Sequence, residues 1–250
     1  MKALITGASS GIGRDMARYL SKLGYDLIIV ARRENLLEEL KKDIKGVEVT
    51  IEQADISKPN TCIELFKKYP SIDILINNAG FGKFGEFDKV EINDELNMID
   101  TKIIGLHTLT KLYLQQMKEK NKGYILNVAS SAGIMPGGPL MATYYATKAY
   151  VVSLTRAIAE ELKVAGSNVK ISALCPGPVD TNFNNVANVK FSLKSLSSEY
   201  VAKYGVDNLL KGKRIIIPGW QIKVACFGAK ILPANLMLKL VYNQQRSKGQ

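Results

Sequence analysis

The sequence has little of several residues that carry metal and redox chemistry: one histidine and three cysteines among 250 residues. Cys62, Cys175 and Cys226 are odd in number and scattered, so we expect reduced thiols in a cytoplasmic protein rather than a disulfide framework. No Cys/His cluster has the spacing of metal ligands, so no metal site is predicted. A strand-like run begins at residue 2, and no run of about 20 residues is apolar and uncharged. We therefore expect neither a signal peptide nor a membrane span.

Acidic residues are scarce in the last quarter of the chain. Residues 1–189 hold 23 Lys/Arg and 21 Asp/Glu, whereas residues 190–250 hold 11 Lys/Arg and only Glu199 and Asp207. Such a segment is either a solvated lysine-rich surface or a face for an anionic partner, such as an acidic protein or a lipid surface. It shows no recognition-helix pattern and no aromatic-basic stripe, so a nucleic-acid partner is not expected.

Short apolar runs alternate with amphipathic stretches along most of the chain. This pattern indicates a parallel sheet covered by helices on both faces, a Rossmann-type doubly wound α/β fold of about seven strands in a single domain. The predicted strands are Ala3–Thr6, Leu27–Ala31, Val47–Gln53, Ile74–Asn77, Tyr124–Ala129, Lys170–Leu174 and Arg214–Ile217. The predicted helices are Gly11–Leu23, Glu34–Ile44, Pro59–Tyr69, Asp94–Lys118, Ala142–Val164 and Ser197–Leu210.

A glycine-rich turn follows the first strand and precedes the first helix. It reads Thr6-Gly7-Ala8-Ser9-Ser10-Gly11-Ile12-Gly13. Glycines allow a tight turn and a close approach of the backbone to a pyrophosphate, and the helix N-terminus presents free N–H groups to it. The turn therefore predicts a nucleotide site.

The end of the second strand indicates which dinucleotide binds. A carboxylate there would accept hydrogen bonds from the ribose 2′-hydroxyl of NAD. The chain has Ala31-Arg32-Arg33 instead, and guanidinium groups suit a 2′-phosphate. NADP is therefore favoured over NAD, the alternative being that one arginine only caps exposed backbone.

A tyrosine and a lysine stand one helical turn apart, at Tyr144 and Lys148, and Ser131 lies thirteen residues before the tyrosine. A nearby ammonium lowers the pKa of a phenol, and a hydroxyl can hold a carbonyl oxygen. Together the three side chains could exchange a proton with an alcohol or a ketone. The pair alone is weak evidence, because most such pairs are an amphipathic residue beside a solvated charge.

In order and spacing, these motifs resemble those of the short-chain dehydrogenase/reductase family over about residues 1–217. The matching elements are the glycine turn, Asp55 after the third strand, Asn77-Asn78-Ala79-Gly80 after the fourth, Ser131, Tyr144 with Lys148, and Pro176-Gly177 after the sixth.

The resemblance implies a role for each matching residue. Tyr144 would be the general acid/base, Ser131 would orient the carbonyl, and Lys148 would lower the tyrosine pKa and bind the nicotinamide ribose. Ser130 is adjacent, but the thirteen-residue spacing favours Ser131. The implied cofactor contacts are Gly7, Ser9, Ser10, Gly11, Ile12, Gly13, Arg32, Arg33, Asp55, Asn77, Asn78, Ala79, Gly80, Tyr144, Lys148, Pro176, Gly177, Val179 and Thr181.

One departure from the family concerns the proton relay. Alignment of residues 101–105 places Lys102 where the family usually has an asparagine that holds a relay water. Asn97 lies five residues away and is not expected on the same helix face. Lys102 would either add a like charge toward Lys148 or point away from the site. We expect a slower enzyme with a shifted pH profile.

A second departure is the carboxyl end, where about thirty residues follow the last strand. We divide the chain into a catalytic domain at 1–220 and a basic, apolar extension at 221–250, packed on the fold or lying on a bilayer surface. The extension would block the strand edge used by tetrameric relatives, so a homodimer through helices 94–118 and 142–164 is expected. Residues 182–196 occupy the segment that covers the substrate in the family.

The expected function is NADP(H)-dependent interconversion of a carbonyl compound and an alcohol. The alternative, motivated by Lys102, is a cofactor-binding regulator or scaffold with weak turnover.

Overall fold

Seven parallel strands form the central sheet of the computed structural model, which describes residues 1–181 and 195–246. They are β1 Lys2–Thr6, β2 Asp26–Ala31, β3 Val49–Gln53, β4 Ile74–Asn77, β5 Tyr124–Val128, β6 Lys170–Leu174 and β9 Ile215–Ile216. Their spatial order is β3-β2-β1-β4-β5-β6-β9. A separate pair joins β7 Val179–Asp180 to β8 Leu196–Ser197. The predicted doubly wound α/β fold is confirmed.

Helices lie between the strands and cover the sheet. They are α1 Gly11–Lys22, α2 Glu34–Asp43, α3 Pro59–Lys68, α4 Ile92–Ile99, α5 Leu106–Glu119, α6 Ala142–Val164, α7 Ser198–Leu210, α8 Trp220–Ile231 and α9 Ala234–Arg246. Neighbouring residues of β1 point to opposite faces: Ile5 joins the apolar cluster under α1, α2 and α7, and Leu4 joins the cluster under α3, α5 and α6. Burial on both faces explains why the strands are almost continuously apolar.

The third strand begins later than predicted, at Val49 rather than Val47. Gly46 adopts a positive φ of 83° in the turn before it. Pairing with β2 starts only where Leu27 meets Val49. The predicted residues 47 and 48 therefore belong to the turn that brings the chain back from α2.

The order of the strands reverses at β1, which has β2 on one side and β4 on the other. A crevice opens at such a reversal, beyond the carboxyl ends of the strands, and ligands of doubly wound folds bind there. The segments that follow β1 to β6 carry nearly all of the predicted site residues, so the topology brings distant parts of the sequence to one edge.

A buried polar network braces the middle of the sheet. Asn77 Nδ2 donates to Thr110 Oγ1 at 3.0 Å and to Asn127 Oδ1 at 2.9 Å. Asn127 Nδ2 donates to Thr155 Oγ1 at 3.0 Å, which ties β4 and β5 to α5 and α6. Each of these hydrogen bonds contributes about 1 kcal/mol to the free energy of unfolding. A buried polar group left without its partner would lower that free energy by more.

The helix between β4 and β5 changes its winding in the middle. Between α4 and α5, residues Asp100–Gly105 form a π-helical turn. Glycine is required at the end of this turn, because a Cβ on Gly105 would lie 2.1 Å from the Ile56 carbonyl oxygen. Such wider turns are rare and are frequent at functional sites.

The carboxyl-terminal extension forms two helices, α8 and α9, separated by Pro233. Cys226, Met237 and Val241 are buried. Gln245 Nε2 donates to the Tyr145 hydroxyl at 2.6 Å, which ties the extension to α6. In the described residues, no helix is long and apolar enough to cross a membrane. Most of the predicted substrate-covering segment, at 182–194, lies outside the described residues.

Candidate active site

The glycine turn after β1 is held by close backbone packing. Gly7 has a φ of 67°, and a Cβ there would lie 2.7 Å from the Ala79 Cα. Asn78 Nδ2 donates to the carbonyl oxygens of Thr6 and Gly7, each at 3.1 Å. Any side chain at Gly13 would displace this amide, because its Cβ would lie 2.3 Å from Asn78 Nδ2. The loop after β4 thus fixes the turn after β1.

Two arginines stand beside this turn at the end of β2. Arg33 Nη2 donates to Ser9 Oγ at 3.0 Å and to Ser10 Oγ at 3.1 Å. Arg32 lines the same cavity, and its backbone carbonyl accepts a hydrogen bond from Gln53 Nε2 at 3.2 Å. The two serine hydroxyls and the two guanidinium groups form a cationic, donor-rich corner that suits an anion.

A cavity of about 680 Å³ runs from this corner along the carboxyl edge of the sheet. It contains most of the predicted residues: Gly7, Ser9, Ser10, Gly11, Ile12, Arg32, Arg33, Asp55, Asn78, Ala79, Gly80, Lys102, Ser131, Tyr144, Lys148, Pro176, Gly177, Val179 and Thr181. Gly13 and Asn77 are not in its wall. Gly13 packs under Asn78, and Asn77 belongs to the polar network within the sheet.

The serine whose side chain contacts the phenol is Ser130, whereas spacing along the chain favoured Ser131. The Ser130 side chain hydrogen-bonds to Tyr144, whereas the Ser131 backbone N–H donates to the Pro176 carbonyl oxygen at 2.8 Å. Ser130 lies two residues after the end of β5 and lines the cavity, as does Ser131. The loop between the serine and the tyrosine contains Gly137 and Gly138, and its length does not determine which hydroxyl meets the phenol.

Burial raises the pKa of Tyr144 to about 12, and the Ser130 hydrogen bond acts in the opposite direction. The expectation that Lys148 lowers the pKa of Tyr144 is therefore wrong for the protein without a bound cofactor. Lys148 Nζ lies 5.9 Å from the centroid of the Tyr144 ring and donates to the Val128 carbonyl oxygen at 2.7 Å. Burial lowers the pKa of Lys148 to about 8. Near neutral pH the phenol is protonated and can donate.

Lys102 points into the site rather than away from it. Its side chain is 1% exposed, and its Nζ lies 4.0 Å from the centroid of the Tyr144 ring. The aliphatic part passes Gly80, where a Cβ would lie 3.1 Å from Lys102 Cε. Within the described residues this Nζ has no hydrogen-bond partner. Burial, followed by repulsion from Lys148, holds the pKa of Lys102 well below its usual value. The lowered pKa favours the neutral form of Lys102, which adds no like charge beside Lys148.

Asn97 lines the same cavity as Lys102 but is exposed, whereas Lys102 is buried. The expectation that the two residues lie on different helix faces stays a prediction. A π-helical turn at Asp100–Gly105 lies between them. A π-helical turn closes hydrogen bonds five residues apart, which rotates Asn97 relative to the positions that follow it. The apolar pattern of residues 94–118 gives no sign of this turn.

The sequence also missed the contribution of the carboxyl-terminal helices. Ile222 and Ala225 of α8, and Val241, Gln244 and Gln245 of α9, line the cavity. The sequence signal for this contribution is the pair of adjacent glutamines, Gln244 and Gln245, in a helix that is otherwise largely apolar. Ile222 of α8 packs against the loop after β6, where a Cβ on Gly177 would lie 2.5 Å from Ile222 Cδ1.

Comparison with known proteins identifies the family. The family model described as short chain dehydrogenase matches residues 1–190. The chain belongs to this family. A 3-oxoacyl-(acyl-carrier-protein) reductase of Staphylococcus epidermidis is 32% identical to it over 214 residues, 82% of this chain and 86% of that protein. This short-chain dehydrogenase is accordingly an oxidoreductase by family.

Two solved structures of the family resemble the chain and contain different cofactors. A short-chain dehydrogenase from Sphingobium yanoikuyae in complex with NADPH is 27% identical, covers 92% of this chain and 93% of its own, and has a TM-score of 0.82. One from Burkholderia phymatum in complex with NAD is 25% identical, covers 90% and 91%, and also has a TM-score of 0.82. These likenesses support a nicotinamide dinucleotide as the cofactor.

The residues of this chain fit such a cofactor. The turn at Gly7 and Gly11 has positive φ at both glycines and no side chain that would fill it. The anion-binding corner lies at one end of the cavity, and Tyr144 with Lys148 lies in the same cavity. One ligand could therefore contact the phosphate turn and the phenol together.

Proposed function

We propose that this short-chain dehydrogenase interconverts a ketone or aldehyde with its alcohol, using NADP(H). The observation that carries the proposal is the Tyr144 phenol, hydrogen-bonded to Ser130, in the cavity that begins at the glycine turn. A bound nicotinamide supplies hydride to the carbonyl carbon or accepts it from the alcohol.

Tyr144 is the proton donor in the direction of reduction. Because its pKa is about 12, the phenol keeps its proton until negative charge develops on the carbonyl oxygen. Ser130 holds that oxygen beside the phenol, and its hydrogen bond favours the phenolate left after transfer. Lys148, fixed by the Val128 carbonyl, is proposed to bind a ribose hydroxyl of the cofactor.

Lys102 is proposed to replace the relay asparagine as a neutral amine. A neutral amine is both a donor and an acceptor, so it can pass a proton toward Lys148 through water. The lowered pKa favours the neutral amine, and a neutral amine does not repel the Lys148 ammonium as a second ammonium would. Asn97 lines the same cavity and could hold a relay water.

Arg32 and Arg33 support NADP over NAD. The two residues directly after β2 are arginines rather than a carboxylate that would repel a 2′-phosphate, and Arg33 already lies over Ser9 and Ser10. We assign Asp55 to the adenine end and residues 176–181 to the nicotinamide end. Asp55 Oδ1 accepts from the Ser57 N–H at 3.1 Å, which orients it at the end of β3.

A substrate class is suggested by the relative that reduces 3-oxoacyl groups and by the apolar residues that α8 and α9 add to the cavity. We propose a lipophilic ketone. The regulator alternative is not favoured, because the serine, tyrosine and lysine needed for turnover are all in place. We retain the division at residue 220, and we propose a homodimer through helices 94–118 and 142–164, which light scattering can test.

The test is a panel of ketones, aldehydes and alcohols assayed with NADPH and NADP⁺ and, in parallel, with NADH and NAD⁺. We expect NADPH oxidation with at least one lipophilic ketone. Turnover with NADH alone would overturn the cofactor assignment. A protein that binds NADPH and turns over no member of the panel would support the regulator alternative.

A further inference from the structure

Each of the two carboxyl-terminal helices presents an exposed apolar stripe. On α8, Trp220, Val224, Phe227 and Ile231 are 72%, 62%, 65% and 67% exposed. Their spacing of four, three and four residues places them on one side of the helix. Of the 17 large apolar side chains exposed in the described residues, eight lie between 220 and 242. We call this side of α8 and α9, with Leu236 and Leu240, the hairpin face.

Basic residues border the hairpin face. Lys223 and Lys230 lie on one flank of the α8 stripe, and Lys239 and Arg246 lie on the corresponding flank of the α9 stripe, by helical spacing. All four are exposed. The chain has no acidic residue after Asp207. The positive charge around this apolar surface is therefore not balanced by carboxylates on the same helices.

The opposite side of the same helices belongs to the cavity. Ile222 and Ala225 on α8, and Val241 and Gln245 on α9, line it. Gln245 is fixed to Tyr145, the neighbour of the phenol. Each helix thus has one side toward the active site and another that is apolar, exposed and bordered by lysine and arginine.

We propose that the hairpin face docks on an anionic membrane surface. A helix that lies in the plane of a bilayer has this composition: aromatic and aliphatic residues enter the acyl boundary, and long basic side chains reach the charged headgroups. Tryptophan is favoured at that depth. Docking would place the cavity wall beside the lipid phase, where a lipophilic ketone is concentrated. That last consequence rests on the proposed function, whereas the docking does not.

Charge favours a membrane over a second copy of the chain. In a symmetric contact through the hairpin face, the lysines and arginines of both copies would approach each other without carboxylates to pair with. Protein interfaces are depleted of lysine at their centres, because burying an unpaired ammonium is costly. An anionic bilayer instead supplies the opposite charge over the whole surface.

Trp220 is the single tryptophan of the chain, so its fluorescence reports on this face alone. The experiment titrates the full-length protein with phosphatidylglycerol-containing vesicles and with pure phosphatidylcholine vesicles. We expect a blue shift, and quenching by brominated acyl chains, with the anionic vesicles only. High salt should weaken the binding, because headgroup attraction is screened.

Paired variants separate the apolar and charged contributions. Phe227→Ser with Ile231→Ser should weaken vesicle binding at least about tenfold, because two large apolar groups no longer leave water. Phe87→Ser with Val164→Ser, also exposed, should not. Lys230→Gln with Lys239→Gln should weaken it about fivefold for each lysine, and Lys41→Gln with Lys42→Gln should have less effect.

Two results would overturn the docking proposal. One is an unchanged Trp220 spectrum, without quenching, at saturating anionic lipid. The other is a blue shift that occurs without vesicles and follows protein concentration in light scattering, which would assign the face to a second copy. The proposed function is judged separately by turnover of a water-soluble ketone without vesicles, so either proposal can fail while the other stands.

Discussion

The Lys102 Nζ lies 4.0 Å from the centroid of the Tyr144 ring, inside the site and without a hydrogen-bond partner among the described residues. A lysine in this place is tolerated because burial and Lys148 favour its neutral form. Gly80 leaves room for its aliphatic part. This relationship has a consequence for stability and one for catalysis.

Lys102 should make folding stability depend on pH. Its pKa is lower in the folded than in the unfolded protein, so the unfolded chain binds more protons and stability rises with pH between the two pKa values. Stability is lost as the pH falls through that window. Urea unfolding of wild type and Lys102→Met between pH 7 and pH 9 should show the difference growing in favour of wild type, by up to about 1.4 kcal/mol per pH unit. Parallel curves would mean that Lys102 keeps its ordinary pKa.

Lys102→Asn should change the rate and pH profile of carbonyl reduction. The asparagine restores the usual relay residue, so we expect a faster reaction whose profile no longer reflects a lysine. The measurement is kcat against pH for both proteins, with Lys111→Asn, a surface substitution on α5, as the control. An unchanged rate and profile would show that the relay does not pass through this side chain.

Ser130 and Ser131 give a matched pair of variants. Ser130→Ala should lower kcat by about 10²–10³-fold, because it removes the hydroxyl that holds the carbonyl oxygen and the bond that favours the phenolate. Ser131→Ala should have a much smaller effect, since the backbone N–H that reaches Pro176 is retained. The reverse ranking would restore the assignment made from spacing.

Arg33→Ala should weaken the binding of NADPH more than that of NADH. A charge-assisted hydrogen bond to phosphate is worth about 1.5–3 kcal/mol, which corresponds to about a 10–150-fold rise in Kd. The NADH constant should change little, because that cofactor has no 2′-phosphate. Equal losses for both cofactors would mean that Arg33 only supports Ser9 and Ser10.

Much of the architecture could be predicted because each local pattern agrees with the global fold. Ile74–Asn77 and Ala142–Val164 have the same bounds in the sequence prediction and in the structure. The first segment is a short apolar run and the second a long helix-like stretch, and turn residues adjoin the ends of both. The glycine turn was equally readable, because only glycine fits there at positive φ against Ala79.

The errors share a physical cause, since each concerns a side-chain direction that spacing along the chain does not determine. Which of Ser130 and Ser131 reaches the phenol depends on the direction of each side chain after β5. The number of residues between the serine and Tyr144 does not reveal that direction. The π-helical turn between Asn97 and Lys102 sets their relative direction and has no apolar signature in the sequence. The pKa of Tyr144 depends on burial by the whole fold, which outweighs the distant Lys148.

The most direct test of the account is the comparison of wild type with Tyr144→Phe on the best ketone from the panel, with NADPH binding measured for both. The account predicts a loss of kcat of about 10²–10⁴-fold with little change in the Kd for NADPH, because the phenol is the proton donor and the ring packing is retained. A variant that binds NADPH and reduces the ketone at the wild-type rate would contradict it.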